Sequence, residues 1–351
     1  MQANSSPEGA RPPWGARQRR ATVAVYGASG LVGRELVRSL FDAAHPPSAL
    51  FFFDDDSRTL SYRDRPLLIR KTPVTPPRTN LAFLVDPGAR GRGYFDALVA
   101  AGVRVVDLSG SRRNDPEVPL VAPELGAARV GAFTQAAQVP LGPMGWLAPL
   151  LARLDSVGGL EEVTATWIAP AAADGLDALF ELRAERSRER APDEALGDPR
   201  PERSGQLWRV ATTADEPAAG SLITQSVDPS SGREQRLLRE LIGKPSLAVE
   251  IARLDGDVER VDALQVHARM RVDLGADKLR AELTAPGWVH WTPESAGSGT
   301  QRVAGRSHVE VGHLRTGVRG PGSLSFFAVG DHLLAGSVRA ALFAGSLLPL
   351  D

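Results

Sequence analysis

The sequence predicts an α/β protein in which an N-terminal domain, built on a parallel sheet, precedes an α+β domain. Three observations support this. Short apolar segments alternate with helical ones up to Pro123, which is the pattern of βαβ units. A glycine-rich turn joins the first apolar segment to the first helical one. Beyond Pro123 the segments are longer and more amphipathic, and a chain of 351 residues exceeds the usual size of one domain.

The first domain, residues 21–133, is predicted from its alternating elements. Strands are expected at Val23–Tyr26, Leu50–Phe53, Leu81–Val85 and Val103–Leu108, and helices at Leu31–Leu40 and Tyr94–Ala101. Residues 1–20 precede it and include several Ser and Pro, a basic run from Arg17 to Arg20, and no apolar core of a signal peptide. We therefore expect a disordered tail there.

The second domain is assigned to residues 134–325. Strands are expected at Val163–Ile168, near Leu247–Ile251 and at Val261–Leu274, and a helix at Gly175–Arg190. Residues 191–220 are rich in Pro, Gly and charged residues and are expected to form a long surface excursion. The apolar segment Phe326–Leu348 is as long as a membrane span, but Asp331, His332 and Arg339 interrupt it. We therefore predict that residues 326–351 form a helix that returns to the first domain.

The composition restricts the classes of partner. With 41 basic and 42 acidic side chains, the chain lacks the charge excess expected for binding nucleic acid or an anionic membrane. The sequence contains no cysteine, which excludes disulfides, thiolate metal ligands and cysteine nucleophiles. We predict a cytoplasmic protein with no metal site and with small-molecule or protein partners.

The segment from Gly27 to Gly33 has the spacing Gly-x-x-Gly-x-x-Gly and lies between a predicted strand and a predicted helix. In a Rossmann-like domain, glycines at these points let backbone N–H groups approach a pyrophosphate. Contacts to a dinucleotide are predicted from Gly27, Ser29, Gly30, Leu31, Val32 and Gly33. The alternative is a turn of the same shape that no longer binds a cofactor.

The end of the second predicted strand carries three carboxylates, Asp54 to Asp56. A carboxylate here suits the free ribose hydroxyl of NAD and repels the 2′-phosphate of NADP. NAD is therefore favoured slightly over NADP, although Arg58 or Arg63 could contact a phosphate instead. The simpler interpretation is a solvated acidic turn.

Several segments of the chain, taken in order, resemble the aspartate-semialdehyde dehydrogenase family. Val23–Gly33 is similar to its nucleotide loop, and Val106–Arg113 and Asp115–Leu125 to its phosphate- or substrate-binding region. Val311–Arg315 and Val329–Gly336 resemble the segments where the family returns to its cofactor domain, so Gly336 is expected near the cofactor. The resemblance implies a homodimer that pairs through the second domain.

The resemblance also implies a reaction in which a cysteine thiolate forms a thioester and NADPH supplies hydride. In that family the cysteine precedes a helix that ends in Leu-x-Pro-Leu, which matches Leu147–Leu150. Counting back from this motif places the lost nucleophile near Gln138. The family's glutamine and acid fall near Ile168 and Leu237, although Glu234 lies close by. Loss of the cysteine is typical of the Usg-type homologues. This chain resembles that branch most in its general sequence pattern, without a sharp shared motif.

Other family residues are retained according to the same resemblance. Arg113 matches the phosphate-binding arginine, and Arg260 and His267 keep the spacing of the substrate arginine and the catalytic histidine. A small carboxylate or phosphate ligand is therefore expected. An odd separation of seven residues places two side chains on opposite faces of a regular strand, so a shared pocket requires a bulge or a turn.

Three functions follow from these residues. The first is a non-catalytic homologue that retains the fold and forms a homodimer or binds another protein. The second is an oxidoreductase that transfers hydride directly to a small carboxylate-bearing aldehyde or keto substrate, with His267 as proton donor and Arg260 as carboxylate clamp. The third is an active semialdehyde dehydrogenase with another nucleophile such as Thr134, for which no adjacent base is evident.

Overall fold

The computed structural model describes residues 21–43, 50–63, 65–85, 89–113, 115–131, 134–189, 231–293 and 300–349. These residues form two sheets with helices packed against them. The predicted α/β architecture is therefore confirmed. The predictions for residues 1–20 and for residues 191–220 concern segments outside the described residues.

The first sheet has seven strands. They are β1 Val23–Tyr26, β2 Leu50–Asp54, β3 Arg58–Tyr62, β4 Arg65–Lys71, β5 Leu81–Leu84, β6 Arg104–Asp107 and β7 Ala136–Gln138. Their order is β3-β4-β2-β1-β5-β6-β7, and all neighbours pair in parallel except the antiparallel hairpin β3–β4. The sequence pattern predicts the central parallel strands but not this hairpin.

Helices cover both faces of the first sheet. They are α1 Leu31–Asp42 and α2 Ala89–Ala100. Val23 and Val25 of β1 pack with α1, whereas Ala24 and Tyr26 pack with α2 on the opposite face. Burial on both faces explains why β1 is apolar at every position.

The second sheet has six strands. They are β8 Leu160–Ala169, β9 Ala248–Asp255, β10 Val261–Met270, β11 Val289–Thr292, β12 Val309–Thr316 and β13 Ser323–Asp331. Their order is β11-β12-β13-β10-β8-β9. The remaining helices are α3 Met144–Gly158, α4 Leu176–Glu189, α5 Ser231–Ile242, α6 Ala276–Thr284, α7 Thr300–Val303 and α8 Arg339–Leu347.

The two faces of the second sheet differ. Leu264 and Val266 of β10 pack in the main core with residues of α3, α5 and α6. On the other face, Val303 of α7 covers Ala263 at one end, whereas His267 farther along β10 remains partly exposed. This partly open face is called the outer face below.

Two segments differ from the predicted boundaries. β7 belongs to the first sheet, although the second domain is predicted to begin at residue 134. Phe326–Asp331, predicted as the start of the C-terminal helix, completes β13 of the second sheet. A short, buried apolar segment fits a strand or a helix equally well, so periodicity could not separate them.

The C-terminal helical region begins at His332 with a π-helical segment, His332–Val338, that continues into α8. α8 packs in the core of the first domain. Helix α3 does not end at the Leu147–Leu150 motif, because Pro149 lies inside it and the helix continues to Gly158. Among the described helices, none combines the length and apolarity needed to cross a membrane.

Candidate functional site at the domain junction

The turn between β1 and α1 has a backbone that requires glycine. Gly27 has a φ of 79°, and a Cβ on Gly33 would lie 2.1 Å from the carbonyl oxygen of Gly27. No side chain caps α1 at Gly30, so the N–H groups of its first turn are not occupied by a capping side chain. An uncapped helix N-terminus beside a close-packed glycine turn fits the phosphates of a nucleotide.

Asp54, at the end of β2, contacts this turn directly. One carboxylate oxygen accepts a hydrogen bond from the Ser29 N–H at 2.9 Å, and the other accepts from the Asp55 N–H at 2.8 Å. Burial opposes ionisation of Asp54, but these hydrogen bonds outweigh it and lower its pKa. Asp54 is therefore ionised at neutral pH, and its carboxylate accepts a hydrogen bond from one backbone N–H of the turn.

Two arginines flank the glycine turn. Arg58 is exposed on β3, and its charge contributes to the lowered pKa of Asp54. Arg34 on α1 donates from Nε to the carbonyl oxygen of Ser29 at 2.6 Å, a contact that the sequence did not suggest. The predicted cofactor residues of the turn thus lie together, with one carboxylate and two guanidinium groups around them.

Gly336 lies in the π-helical segment, where it packs against the start of α3. A Cβ on Gly336 would lie 2.3 Å from the carbonyl oxygen of Gly142, and a Cβ on Gly145 would lie 2.2 Å from the carbonyl oxygen of Gly336. The small residue at this position therefore permits a close backbone contact between two elements of the protein. That packing explains the glycine without a cofactor.

Gln138, the position counted for the lost nucleophile, is a buried strand residue. Its side chain is 3% exposed and donates from Nε2 to the Val118 carbonyl oxygen at 2.7 Å. Its backbone N–H donates to the carbonyl oxygen of Pro119 at 2.9 Å. Helix α3 begins only at Met144, so Gln138 does not lie at a helix N-terminus, where a thiolate would be stabilised.

Arg113 follows β6 and is half-buried at the junction between the domains. Burial and the nearby charge of Arg233 on α5 lower its pKa to about 10, while Glu234 and Asp107 act in the opposite direction. Two arginines from different domains thus lie close enough to influence one another. This arrangement is compatible with the anionic group expected beside Arg113.

Arg260 is engaged by carboxylates of the protein itself. Its Nε and one terminal nitrogen donate to the two oxygens of Asp331 at 2.5 and 3.1 Å. Its other terminal nitrogen donates to Glu35 of α1 at 3.1 Å. Asp331 is fully buried and also caps the π-helical segment at Leu333. Arg260 therefore links the two domains, and its donors are not directed at a substrate.

His267 lies far from Arg260 on the outer face of the second sheet. β10 pairs with β13 in unbroken register from Val261 to Arg269, without the bulge that a shared pocket requires. At the usual strand rise, seven residues separate the two by about 23 Å. Burial and the charge of Arg319 lower the pKa of His267. The expected pairing of Arg260 with His267 in one pocket is therefore not observed.

The histidine at the domain junction is His332, which the sequence analysis treated only as an interruption of an apolar segment. Its Nδ1 lies 3.0 and 3.1 Å from the carboxylate oxygens of Asp262, and the Trp167 Nε1–H donates to the same carboxylate at 2.8 Å. Burial disfavours protonation of His332, but the charge and hydrogen bond of Asp262 outweigh burial and raise its pKa. No spacing motif marks this buried pair.

Arg253 was also missed. It donates to Asp174 at 2.6 Å and to Asp255 at 3.0 Å, and its guanidinium lies 5.2 Å from the centre of the Trp167 ring. Arg253 precedes Arg260 by seven positions, which is the arginine-to-histidine separation noted above. If Arg253 is taken as the substrate arginine instead of Arg260, then Arg260 occupies the position at which the family resemblance predicts the catalytic histidine.

Comparison with known proteins places this geometry in context. Residues 22–132 match the family model of the semialdehyde dehydrogenase NAD-binding domain. The aspartate-semialdehyde dehydrogenase of Legionella pneumophila is 24% identical over 94% of this chain and 96% of its own length. That of Mycolicibacterium smegmatis is 27% identical over 94% of this chain and 99% of its own length.

Solved structures show the same fold. Aspartate semialdehyde dehydrogenase II from Vibrio cholerae, complexed with ASA, has a TM-score of 0.79 at 19% identity, covering 93% of this chain and 97% of that chain. The enzyme from Candida albicans with NADP has a TM-score of 0.61 at 13% identity, with coverages of 93% and 97%. The architecture is therefore shared along almost the whole length.

Proposed function

We propose that this chain is a member of the aspartate-semialdehyde dehydrogenase family that keeps the family's fold and nicotinamide nucleotide domain without its thioester chemistry. The observation that carries the proposal is the absence of cysteine from all 351 residues. A thioester requires a thiolate, and hydroxyl groups are poor substitutes unless an adjacent base activates them.

The surroundings of the expected nucleophile support the proposal. Gln138 uses both its side chain and its backbone in the packing of β7. Arg260 is neutralised by Asp331 and Glu35, so it offers no free charge for a substrate carboxylate. The packing role of Gln138 in the first sheet and the link of Arg260 to Glu35 between the domains support a structural role for both residues.

The nucleotide domain supports retained binding of a nicotinamide nucleotide. The backbone of the glycine turn and the first turn of α1 would hold its phosphates, and Asp54 would lie beside its ribose. A bound nicotinamide nucleotide supplies hydride chemistry in active dehydrogenases. We propose that NAD is preferred over NADP here, because the ionised carboxylate of Asp54 repels a 2′-phosphate.

Neither alternative function gains support from the geometry. Hydride transfer with His267 and Arg260 needs both side chains at one substrate, but they lie on different parts of the second domain. Thr134 accepts a hydrogen bond from the Gly131 N–H through its hydroxyl oxygen at 2.8 Å. This contact holds a turn and provides no base to activate the hydroxyl.

We further propose that the protein is a homodimer that pairs through the second sheet, as the family resemblance implies. Partly exposed residues on the outer face, among them Gln265, His267 and Phe327, offer a surface for such pairing.

A two-part experiment tests the proposed function. Calorimetric titration of NAD and NADP measures nucleotide binding, and an assay with aspartate semialdehyde, phosphate and either nucleotide measures turnover. Nucleotide binding without turnover is the expected result. Turnover by the unmodified chain would refute the proposal.

A further inference from the structure

His332 and Asp262 form a buried pair at the domain junction, in which the carboxylate contacts only one nitrogen of the imidazole. Both contacts are made by Nδ1. Among the described residues, Nε2 has no hydrogen-bond partner, yet it is not one of the fully buried polar atoms that lack a partner. Nε2 therefore reaches solvent, although the residue is only 7% exposed. A carboxylate at Nδ1 fixes the orientation of the ring and leaves Nε2 able to transfer a proton.

The segment that links β7 to α3 lies against this imidazole. Gly142 has a φ of 59°, and a Cβ on it would lie 2.4 Å from Cε1 of His332. Its N–H donates to the hydroxyl of Ser337 at 3.1 Å. A residue without a side chain is therefore required at Gly142 for the imidazole to lie beside the backbone just before α3 begins.

The first sheet relates this segment to the nucleotide site. β1, β5, β6 and β7 are parallel neighbours in that order, so their carboxyl ends lie at one edge of the sheet. The glycine turn follows β1 at that edge, and residues 139–142 follow β7. Three strand spacings separate β1 from β7, which is about 14 Å. Ligands of open parallel sheets bind along this edge, so the glycine turn and His332 border the same crevice.

The strand order gives the direction in which a dinucleotide would extend. Asp54, at the end of β2, would lie beside the adenosine ribose, and the glycine turn after β1 would hold the phosphates. β2 lies on one side of β1, whereas β5, β6 and β7 lie on the other. The nicotinamide end of the same molecule would therefore extend toward His332.

The charges around His332 favour its protonated form. The charged groups that act on the imidazole are Asp262 on β10, Asp331 at the end of β13 and Arg253 on β9. Asp331 and Arg253 are each paired with a group of opposite charge, so the Asp262 carboxylate has the largest influence. Burial opposes protonation of His332, but the charge and hydrogen bond of Asp262 outweigh it and raise the pKa. The protonated ring carries a transferable proton on Nε2.

We propose that His332, oriented by Asp262, is the proton donor for reduction of a small aldehyde or ketone by a nicotinamide nucleotide bound at the glycine turn. Hydride adds to the carbonyl carbon, and the electron pair of the C=O π bond forms the new O–H bond with the proton of Nε2. The reduced nicotinamide is thereby oxidised, the substrate becomes an alcohol, and His332 is left neutral until it takes a proton from solvent.

This reaction forms no covalent bond between the protein and the substrate, so it needs no cysteine. It also uses neither His267 nor Arg260. The inference rests on the proposed retention of the nucleotide, and it adds an acid and a substrate class to that site.

A binding experiment tests the position of His332 without requiring turnover. The imidazole Hε1 resonance of His332, assigned with His332→Gln, is followed while NADH or ADP-ribose is added to the full chain. ADP-ribose has the adenosine, both phosphates and the second ribose but no nicotinamide. We expect the His332 resonance to shift with NADH and not with ADP-ribose. The resonance of His290, on the edge strand β11, should shift with neither.

Calorimetry on the same samples separates the two ways in which this experiment can fail. NADH binding that leaves the His332 resonance unmoved would overturn the inference and leave the proposed function intact. Failure of NADH to bind would refute the retained nucleotide and this inference with it.

A kinetic experiment tests the role of His332 as an acid. Oxidation of NADH is followed between pH 6 and pH 9 with glyoxylate and with propanal as the carbonyl compounds. Because the acid must be protonated, kcat/KM should fall about tenfold per pH unit above the pKa that the His332 resonance reports. His332→Gln should lower kcat at least about 100-fold, and His290→Gln should leave it unchanged.

The pH profile uses the unmodified chain, so it is informative even if His332→Gln fails to fold. A profile that does not follow the titration of His332 would overturn the proposal. Absence of NADH oxidation with both carbonyl compounds would overturn it as well.

Discussion

The guanidinium of Arg260 lies 3.1 Å from the carboxylate of Glu35, and this ion pair joins the second domain to the first helix of the nucleotide domain. The same guanidinium neutralises Asp331, whose side chain is fully buried. A residue that the family resemblance assigns to substrate binding thus has a structural role here. Its two carboxylate partners make that role testable by substitution.

Arg260→Gln should destabilise the protein by about 3–5 kcal/mol, because it leaves the Asp331 carboxylate buried without its cation. Arg38→Gln is a suitable control, since Arg38 also contacts Glu35 but has a side chain that is 53% exposed. The control should cost less than about 1 kcal/mol. Urea unfolding followed by circular dichroism measures both. Equal stabilities of the two variants would contradict the structural role of Arg260.

Asp54→Asn should change nucleotide selectivity. Removing the carboxylate removes its repulsion of a 2′-phosphate, so the affinity for NADP relative to NAD should rise about tenfold, equivalent to about 1.4 kcal/mol. Asp56→Asn, an exposed neighbour, should leave the ratio unchanged. Calorimetry with both nucleotides provides the ratio. Tighter binding of NADP than of NAD by the unmodified chain would show that Asp54 does not set the preference.

The His332–Asp262 pair should make stability depend on pH. Because folding raises the pKa of His332 above its ordinary value of 6.5, the pair stabilises the fold fully below that value. Its contribution is lost as the pH rises through the raised pKa. Substituting His332→Gln should therefore cost more stability at pH 6 than at pH 9, as measured by urea unfolding. A cost that is independent of pH would mean that His332 is neutral throughout.

Dimerisation through the outer face can be tested by sedimentation. We expect the unmodified chain to sediment as a dimer at micromolar concentration and Phe327→Glu, on that face, to shift it toward monomer. Val74→Glu, at a position that is 98% exposed in the first domain, should have no effect. A monomeric unmodified chain would count against the proposed dimer.

The sequence predicted the features that depend on neighbouring residues. β1 and the glycine turn were predicted because residues 23–33 contain a strand, a tight turn and the beginning of a helix. Each of these has a recognisable local sequence pattern. The hairpin β3–β4 was missed because its strands mix Arg, Lys, Ser and Thr with apolar residues and show no regular alternation. Its stability depends on pairing with the rest of the sheet.

Long-range contacts could not be read from the sequence. The partner of Arg260 on α1 is 225 positions away, and Asp262 and His332 are 70 positions apart. Only the folded chain shows that these charges neutralise one another. Gln138 was assigned to the position of the lost cysteine by counting back from the Leu147–Leu150 motif. That count could not reveal that β7 ends at Gln138 or that α3 begins only at Met144.

Loss of the thioester chemistry is tested by an assay of the unmodified chain and of Gln138→Cys with aspartate semialdehyde, phosphate and either NAD or NADP, following reduced nicotinamide. We predict no turnover by the unmodified chain, because it has no thiolate. We also predict none by Gln138→Cys, because a cysteine there would be buried in β7 and away from a helix N-terminus. Turnover by the unmodified chain would show that the thioester chemistry, or a substitute for it, is retained. Turnover by the variant alone would show that the rest of the catalytic site is intact.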